Sequence, residues 1–197
     1  KYAITHGCLS AYRIKRRHIP QNYKISIFYL TMKYIIDSNC FVTPHRSFCP
    51  TDVGVSFWSK LRTLAENGKI CSIDKVQYEL YNNSDELKNW METSLSDSFF
   101  VKFDNAMSVQ KLTAIVQWAT TNTFYIPKAK TKFLRMDKAD IYLASFASVN
   151  PAEWTIVSME RSAPNSPGEI KLPDVCMQYN VKCIQLEEMF RELGETY

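Results

Sequence analysis

Four carboxylates stand where an apolar pattern ends or borders a polar face. Asp37 follows the run Tyr34-Ile35-Ile36, and Glu160 comes two residues after Ser158, which itself ends Ile156-Val157. Glu79 lies three residues beyond Val76 and beside Leu80; Asp140 shares a helical stripe with Leu143, Ala144 and Ala147, with Asp137 one turn earlier. A carboxylate on a core-facing edge is costly unless something compensates its charge. A divalent cation does so, and without one, clustered acids raise one another's pKa. Each acid taken alone has a plainer reading: a strand-end turn residue for Asp37, a solvated helix acid for Glu79, dipole partners at a helix start for Asp137 and Asp140. Their joint placement is what points to chemistry.

The elements that must position these groups follow from periodicity. Short apolar runs predict strands at 34–37, 69–72, 99–103, 154–159 and 181–185. Helical spacing fills the gaps at 52–67, around Val76 to Leu80, around Leu87, Trp90 and Leu95, at 108–121, at 137–149 and at 186–193, with a short helix opening at Pro173. Gly68 and Gly194 read as helix stops, and Ser72 and Ser84 as helix caps. The stretch with Pro44 and Pro50, the basic segment before Asp137 and residues 162–167 read as loops. Strands alternating with helices imply a three-layer α/β/α domain around a parallel sheet of about five strands. Ligands in such folds bind beyond the carboxyl ends of the strands, at the point where strand order reverses. If the first and fourth strands are neighbours there, Asp37, Ser158 and Glu160 converge.

Composition narrows the classes. The chain of 197 residues is long enough for one well-packed domain, and no apolar run is long enough to cross a bilayer. Of its 24 basic residues, six fall in the first 31, which hold no acid, so the net charge of +4 belongs to that segment and the remainder is slightly acidic. Residues 1–31 are read as a basic extension to a domain at 32–197. The extension is either a non-native leader before a start at Met32 or an arm that touches RNA. Six cysteines without C-x-x-C spacing read as reduced residues of a cytoplasmic protein, and His6, His18 and His45 fall at no zinc-ligand spacing with them. No glycine-rich phosphate loop follows the first strand, which argues against nucleotide binding.

The ordered set of motifs resembles the PIN domains. Ile36-Asp37-Ser38-Asn39 is similar to their first strand end, Glu79-Leu80 to the second acid on a helix, and Asp140-Ile141-Tyr142-Leu143-Ala144 to the Asp-x-x-x-Ala helix. Ser158-Met159-Glu160 is similar to the hydroxyl–spacer–acid end of the fourth strand, and Ile170-Lys171-Leu172-Pro173-Asp174-Val175-Cys176 resembles a bacterial PIN-like subfamily read as the toxin half of toxin–antitoxin pairs. The resemblance spans Met32 to about Arg191. It implies metal-dependent hydrolysis of RNA, with Asp37, Glu79 and Asp140 holding Mg²⁺ or Mn²⁺ and Glu160 holding a second ion or the attacking water. Asn39, Ser158 and Asp137 would orient the ligands. It also implies an antitoxin partner and a homodimer, while the lack of a long apolar run speaks against a membrane. Many PIN domains carry Asp where this chain has Glu160, which leaves open whether Glu160 or Asp174 completes the metal set.

RNA binding needs cations, and Lys128, Lys130, Lys132, Arg135 and Lys138 precede Asp140, with Phe124, Tyr125 and Phe133 available for stacking. Two other classes compete. One is a catalytically idle PIN fold serving as an interaction module. The other is a phosphoacceptor signalling domain using Asp104 after the third strand; a lone Asp at the end of strand one and no Lys at the end of strand five speak against it.

Overall fold

The computed structural model describes residues 33–82 and 86–197. Five strands form one parallel sheet: β1 (Lys33–Ile36), β2 (Ile70–Ile73), β3 (Phe100–Val101), β4 (Trp154–Val157) and β5 (Lys182–Ile184), in the order β3-β2-β1-β4-β5. The predicted α/β class and strand count are found. Tyr34, Ile35, Ile36, Ile156 and Val157 are all buried, so successive side chains, which point to opposite faces, are covered on both. That is why these strands read as continuous apolar runs rather than alternating ones.

Nine α-helices occur among the described residues: α1 (Asn39–Ser47), α2 (Val55–Glu66), α3 (Asp74–Tyr81), α4 (Glu86–Ser94), α5 (Ala106–Thr121), α6 (Pro127–Phe133), α7 (Asp140–Ala147), α8 (Leu172–Gln178) and α9 (Leu186–Leu193). The chain steps from β1 through β2 to β3 in one direction, then from β4 to β5 in the other. Right-handed crossovers therefore place helices on both faces of the sheet. On one flank α5 packs on α7, which in turn packs on β4 and α8. Among the described residues, no helix is long and apolar enough to cross a membrane. The five cysteines among them (Cys40, Cys49, Cys71, Cys176 and Cys183) are free.

The departures from expectation have local causes. The stretch after β1 is a helix, α1, despite Pro44 inside it. Cys40, Phe41 and Pro44 are buried against the core, and the Pro44 carbonyl accepts from the amides of both Phe48 and Cys49, so burial outweighs the one hydrogen bond that proline removes. The basic segment is also helical: α6 starts with Pro127 at its first position and buries Ala129 and Phe133, an i,i+4 pair hidden between lysines. Ser72 does not cap α3. It lies inside β2 and donates to the Ile36 carbonyl at 2.6 Å, tying β2 to β1. The segment expected to be helical from Asp137 forms α7 only from Asp140. Helix α2 begins after Gly54, where a Cβ would sit 2.0 Å from the Cys49 sulfur, so the close approach of the two chains requires glycine. Gly194 ends α9 in the left-handed conformation expected of a C-terminal glycine. The Ser84 cap and the division at residue 31 lie outside the described residues.

Candidate active site

The centre of the sheet builds the site. Strands β1 and β4 are neighbours, with Ile36 opposite Val157, so Asp37 and Ser158 are the next pair beyond the strand ends. The Asp37 amide donates to the Val157 carbonyl at 2.9 Å, and the Ser158 amide to the Ile184 carbonyl at 3.0 Å; both residues extend the ladder and neither is free to drift. Asp37 is only 1% exposed. One carboxylate oxygen accepts from the Ser38 amide at 2.7 Å and the other from the Ser158 hydroxyl at 2.9 Å. The Ser158 hydroxyl accepts in turn from Asn39 Nδ2 and from the Glu160 amide, each at 3.1 Å, which uses its full hydrogen-bonding capacity. Asn39 Oδ1 accepts from the Met159 amide at 2.8 Å. Asn39 and Ser158 thus stitch the two strand ends together, and Ser158 holds the Asp37 carboxylate.

Asp37, Glu79, Asp140 and Glu160 line one cleft of about 270 Å³, together with Ser38, Asn39, Lys132, Phe133, Arg135, Lys138, Glu169 and Lys171. Helix α3 brings in Glu79, whose carboxylate accepts from Lys138 Nζ at 2.9 Å and from the Ala139 amide at 3.3 Å, so it also anchors the start of α7. Glu160 accepts from the Leu172 amide at 3.1 Å, and Lys171 Nζ lies 3.8 Å from its other oxygen. Asp140, at the first position of α7, receives no hydrogen bond or ion pair from any described residue. Burial together with the negative charges of Glu160 and Glu79 pushes its pKa up to about 6. Burial and the charge of Asp140 raise Asp37 well above the usual carboxylate range, even though the Ser158 hydroxyl favours its ionised form. Asp37 and Asp140 are crowded enough to resist ionising together.

Oxygen donors of this kind suit hard cations such as Mg²⁺ and Mn²⁺. As the side chains stand, no three His, Cys, Asp or Glu groups among the described residues converge on one point. Glu79 and Glu160 are instead held by Lys138 and Lys171. The oxygen donors of the four acids fit a divalent ion, which Asp37 and Asp140 would hold with Glu79, Glu160 or water completing its shell.

Other candidates fall elsewhere. Asp174 is buried at 5% exposure, but its carboxylate accepts from the Ser162 hydroxyl and from the Ala163 amide, the latter at 3.0 Å. It lines a different groove, with Trp118, Phe124, Tyr125 and Met177. It ties the loop after β4 and lies in a groove apart from the other four acids. Asp137 sits in the exposed turn before α7, paired with Arg135, whose guanidinium holds its carboxyl below the ordinary value. It lines an adjoining groove with Glu79 and Lys138 rather than orienting the inner acids. Of the five expected RNA-binding cations, Lys132, Arg135 and Lys138 reach the cleft. Lys130 donates to the Thr120 carbonyl at 2.9 Å, and neither it nor Lys128 lines the cleft. Phe124 and Tyr125 are in the second groove, while Phe133 is mostly buried beside the first. Asp104 is exposed after the edge strand β3 and does not line the acidic cleft.

Three contributors went unread in the sequence. Lys171 and Glu169 line the cleft, and Gln185 donates from Nε2 to the carbonyls of Ser158 and Glu160 at 3.0 and 2.7 Å. Gln185 follows an apolar strand as Asp37 does, and the same rule would have found it.

No curated protein and no solved structure matches the chain. A family model described as a domain of unknown function (DUF4411) matches residues 34–197, which takes in the whole sheet but for Lys33 and all of the acidic cleft, and the chain belongs to that family.

Proposed function

We propose that this chain is a divalent-metal-dependent endoribonuclease that hydrolyses RNA phosphodiester bonds, as its resemblance to PIN domains implies. The observation that carries this reading is the gathering of Asp37, Glu79, Asp140 and Glu160 in one cleft at the switch point of a parallel sheet, beneath a rim of Lys132, Arg135, Lys138 and Lys171. Asp37 and Asp140 would hold the ion, with Glu79 and Glu160 completing its shell. A divalent ion bound there supplies positive charge at the scissile phosphate and lowers the pKa of a water. Ser158 and Asn39 keep the Asp37 carboxylate in place, and the cationic rim receives the phosphate backbone. A toxin role, an antitoxin partner and a homodimer rest on the resemblance alone.

A second reading, an idle PIN-like interaction module, draws on the ion pairs Lys138–Glu79 and Lys171–Glu160, which neutralise two of the acids without any metal. One assay separates the two. The full chain is incubated with a mixed RNA pool and Mn²⁺ or Mg²⁺, beside EDTA and Asp37→Asn controls. Cutting that disappears in both controls supports the nuclease. No cutting, together with no metal uptake, leaves the interaction module.

A further inference from the structure

Two lysines lie against the acids in a pattern that the cleavage chemistry does not require. Lys138 arrives from the turn before α7 and places Nζ 2.9 Å from Glu79. Lys171, just before α8, places Nζ 3.8 Å from Glu160 and 3.2 Å from Glu169. Both approach from the cleft, both are partly buried, and both also act electrostatically on Asp140. The outer acids therefore each have an ammonium. The inner pair has none: the Asp140 carboxylate receives no hydrogen bond or ion pair from a described residue, is half-buried, and faces the cleft.

Resting on the metal reading, we propose that Lys138 and Lys171 are exchangeable counter-ions of the acidic floor: they compete with the divalent cation for Glu79 and Glu160, and on leaving those carboxylates they bind a phosphate of the nucleic-acid substrate beside the ion. Two observations on the lysines support the exchange. Lys171 already has a second acceptor, since Glu169 is nearer to it than Glu160 is, so it leaves Glu160 without being stranded. Glu169 also faces Lys132 at 3.5 Å, which links this side of the floor to the rim. Lys138 carries the shorter bond and has the larger effect on ion binding. A dication and an ammonium cannot share one carboxylate without repulsion, so ion and lysine oppose each other. A phosphate draws both, so ion and substrate assist each other.

The test is calorimetric titration of Mn²⁺ into the full chain and its Lys138→Met, Lys171→Met and Lys171→Arg variants. It is repeated with a short oligodeoxynucleotide, which carries the phosphates but lacks the 2′-hydroxyl. Loss of one partly exposed ion pair corresponds to about fivefold in affinity. Mn²⁺ alone is expected to bind about fivefold more tightly to Lys138→Met and less markedly so to Lys171→Met, while Lys171→Arg stays near the parent. With Mn²⁺ saturating, both Met variants are expected to bind the oligonucleotide several-fold more weakly. Circular dichroism confirms that each variant is folded. If the parent binds Mn²⁺ and neither Met variant binds it more tightly, the counter-ion proposal fails alone. If the parent and all variants bind no Mn²⁺, the metal reading fails and takes this proposal with it.

Discussion

Two buried aspartates, Asp37 and Asp174, sit in the same domain under opposite conditions. Asp174 has a hydroxyl on one oxygen and an amide on the other, with no other carboxylate lining its groove. Asp37 has three donors, the amide and hydroxyl of Ser38 and the hydroxyl of Ser158, but it shares its cleft with Asp140, Glu79 and Glu160, and all three charges push its pKa upward. A buried carboxylate with matched donors is a structural tie. Buried carboxylates set against one another resist ionising, and folds keep them where a cation or a proton is to be bound. Burial alone therefore does not distinguish a ligand from a strut; the sign of the surroundings does.

Substitution breaks the comparison most sharply. Asp37→Asn is expected to lower metal-dependent RNA cleavage by about 10²–10³-fold, the scale of losing one preorganised electrostatic group. Asp174→Asn should leave cleavage per folded molecule near the parent level. Its cost falls on stability instead: the new amide keeps its oxygen on the Ala163 N–H and turns its N–H to the Ser162 oxygen, trading two charge-assisted bonds for neutral ones, an expected loss of about 1 kcal/mol in urea unfolding. Equal losses of activity in the two variants would abolish the distinction.

The next effect has the opposite sign. The raised pKa of Asp140 means that its ionised form is disfavoured in the folded chain, so this group removes stability as pH rises from its ordinary value of 3.8 to about 6. In EDTA at pH 7, Asp140→Asn is expected to stabilise the protein by roughly 1–2 kcal/mol, allowing for solvent at its half-buried edge. At pH 3.5 the difference should nearly vanish. Adding Mn²⁺ should reverse the ranking, raising the melting temperature of the parent and not of the variant. A smaller effect comes from Ser158→Ala, which removes the donor to Asp37 and the acceptor for Asn39 and Glu160. Mn²⁺ affinity is expected to fall by about 10-fold, the lower end for a group that orients a ligand.

The sheet was largely legible in the sequence because its strands are buried on both faces and stand out as apolar runs. The end of β1 and the end of β4 were legible for the same reason: Asp37 and Ser158 break those runs abruptly. The helices hidden by composition were not. Pro44 masked α1, since a proline's missing hydrogen bond is visible in sequence but the burial that offsets it is not. Alternating lysines masked the Ala129–Phe133 face of α6. Asp174 looked like a ligand because its two donors, Ser162 and Ala163, reach it only through the loop after β4. Lys171 stands alone in sequence, far from the basic segment before Asp140, and only the fold brings it to the cleft that Lys128 and Lys130 do not line.

The most direct measurement is anomalous diffraction from crystals of the full chain soaked in Mn²⁺. A manganese peak bound by Asp37 and Asp140, with Glu79 or Glu160 turned from its lysine toward the ion, is the expected result. A cleft with no manganese while the ion binds elsewhere, or a peak at Asp174 alone, would contradict the assignment of the acidic floor as a metal centre.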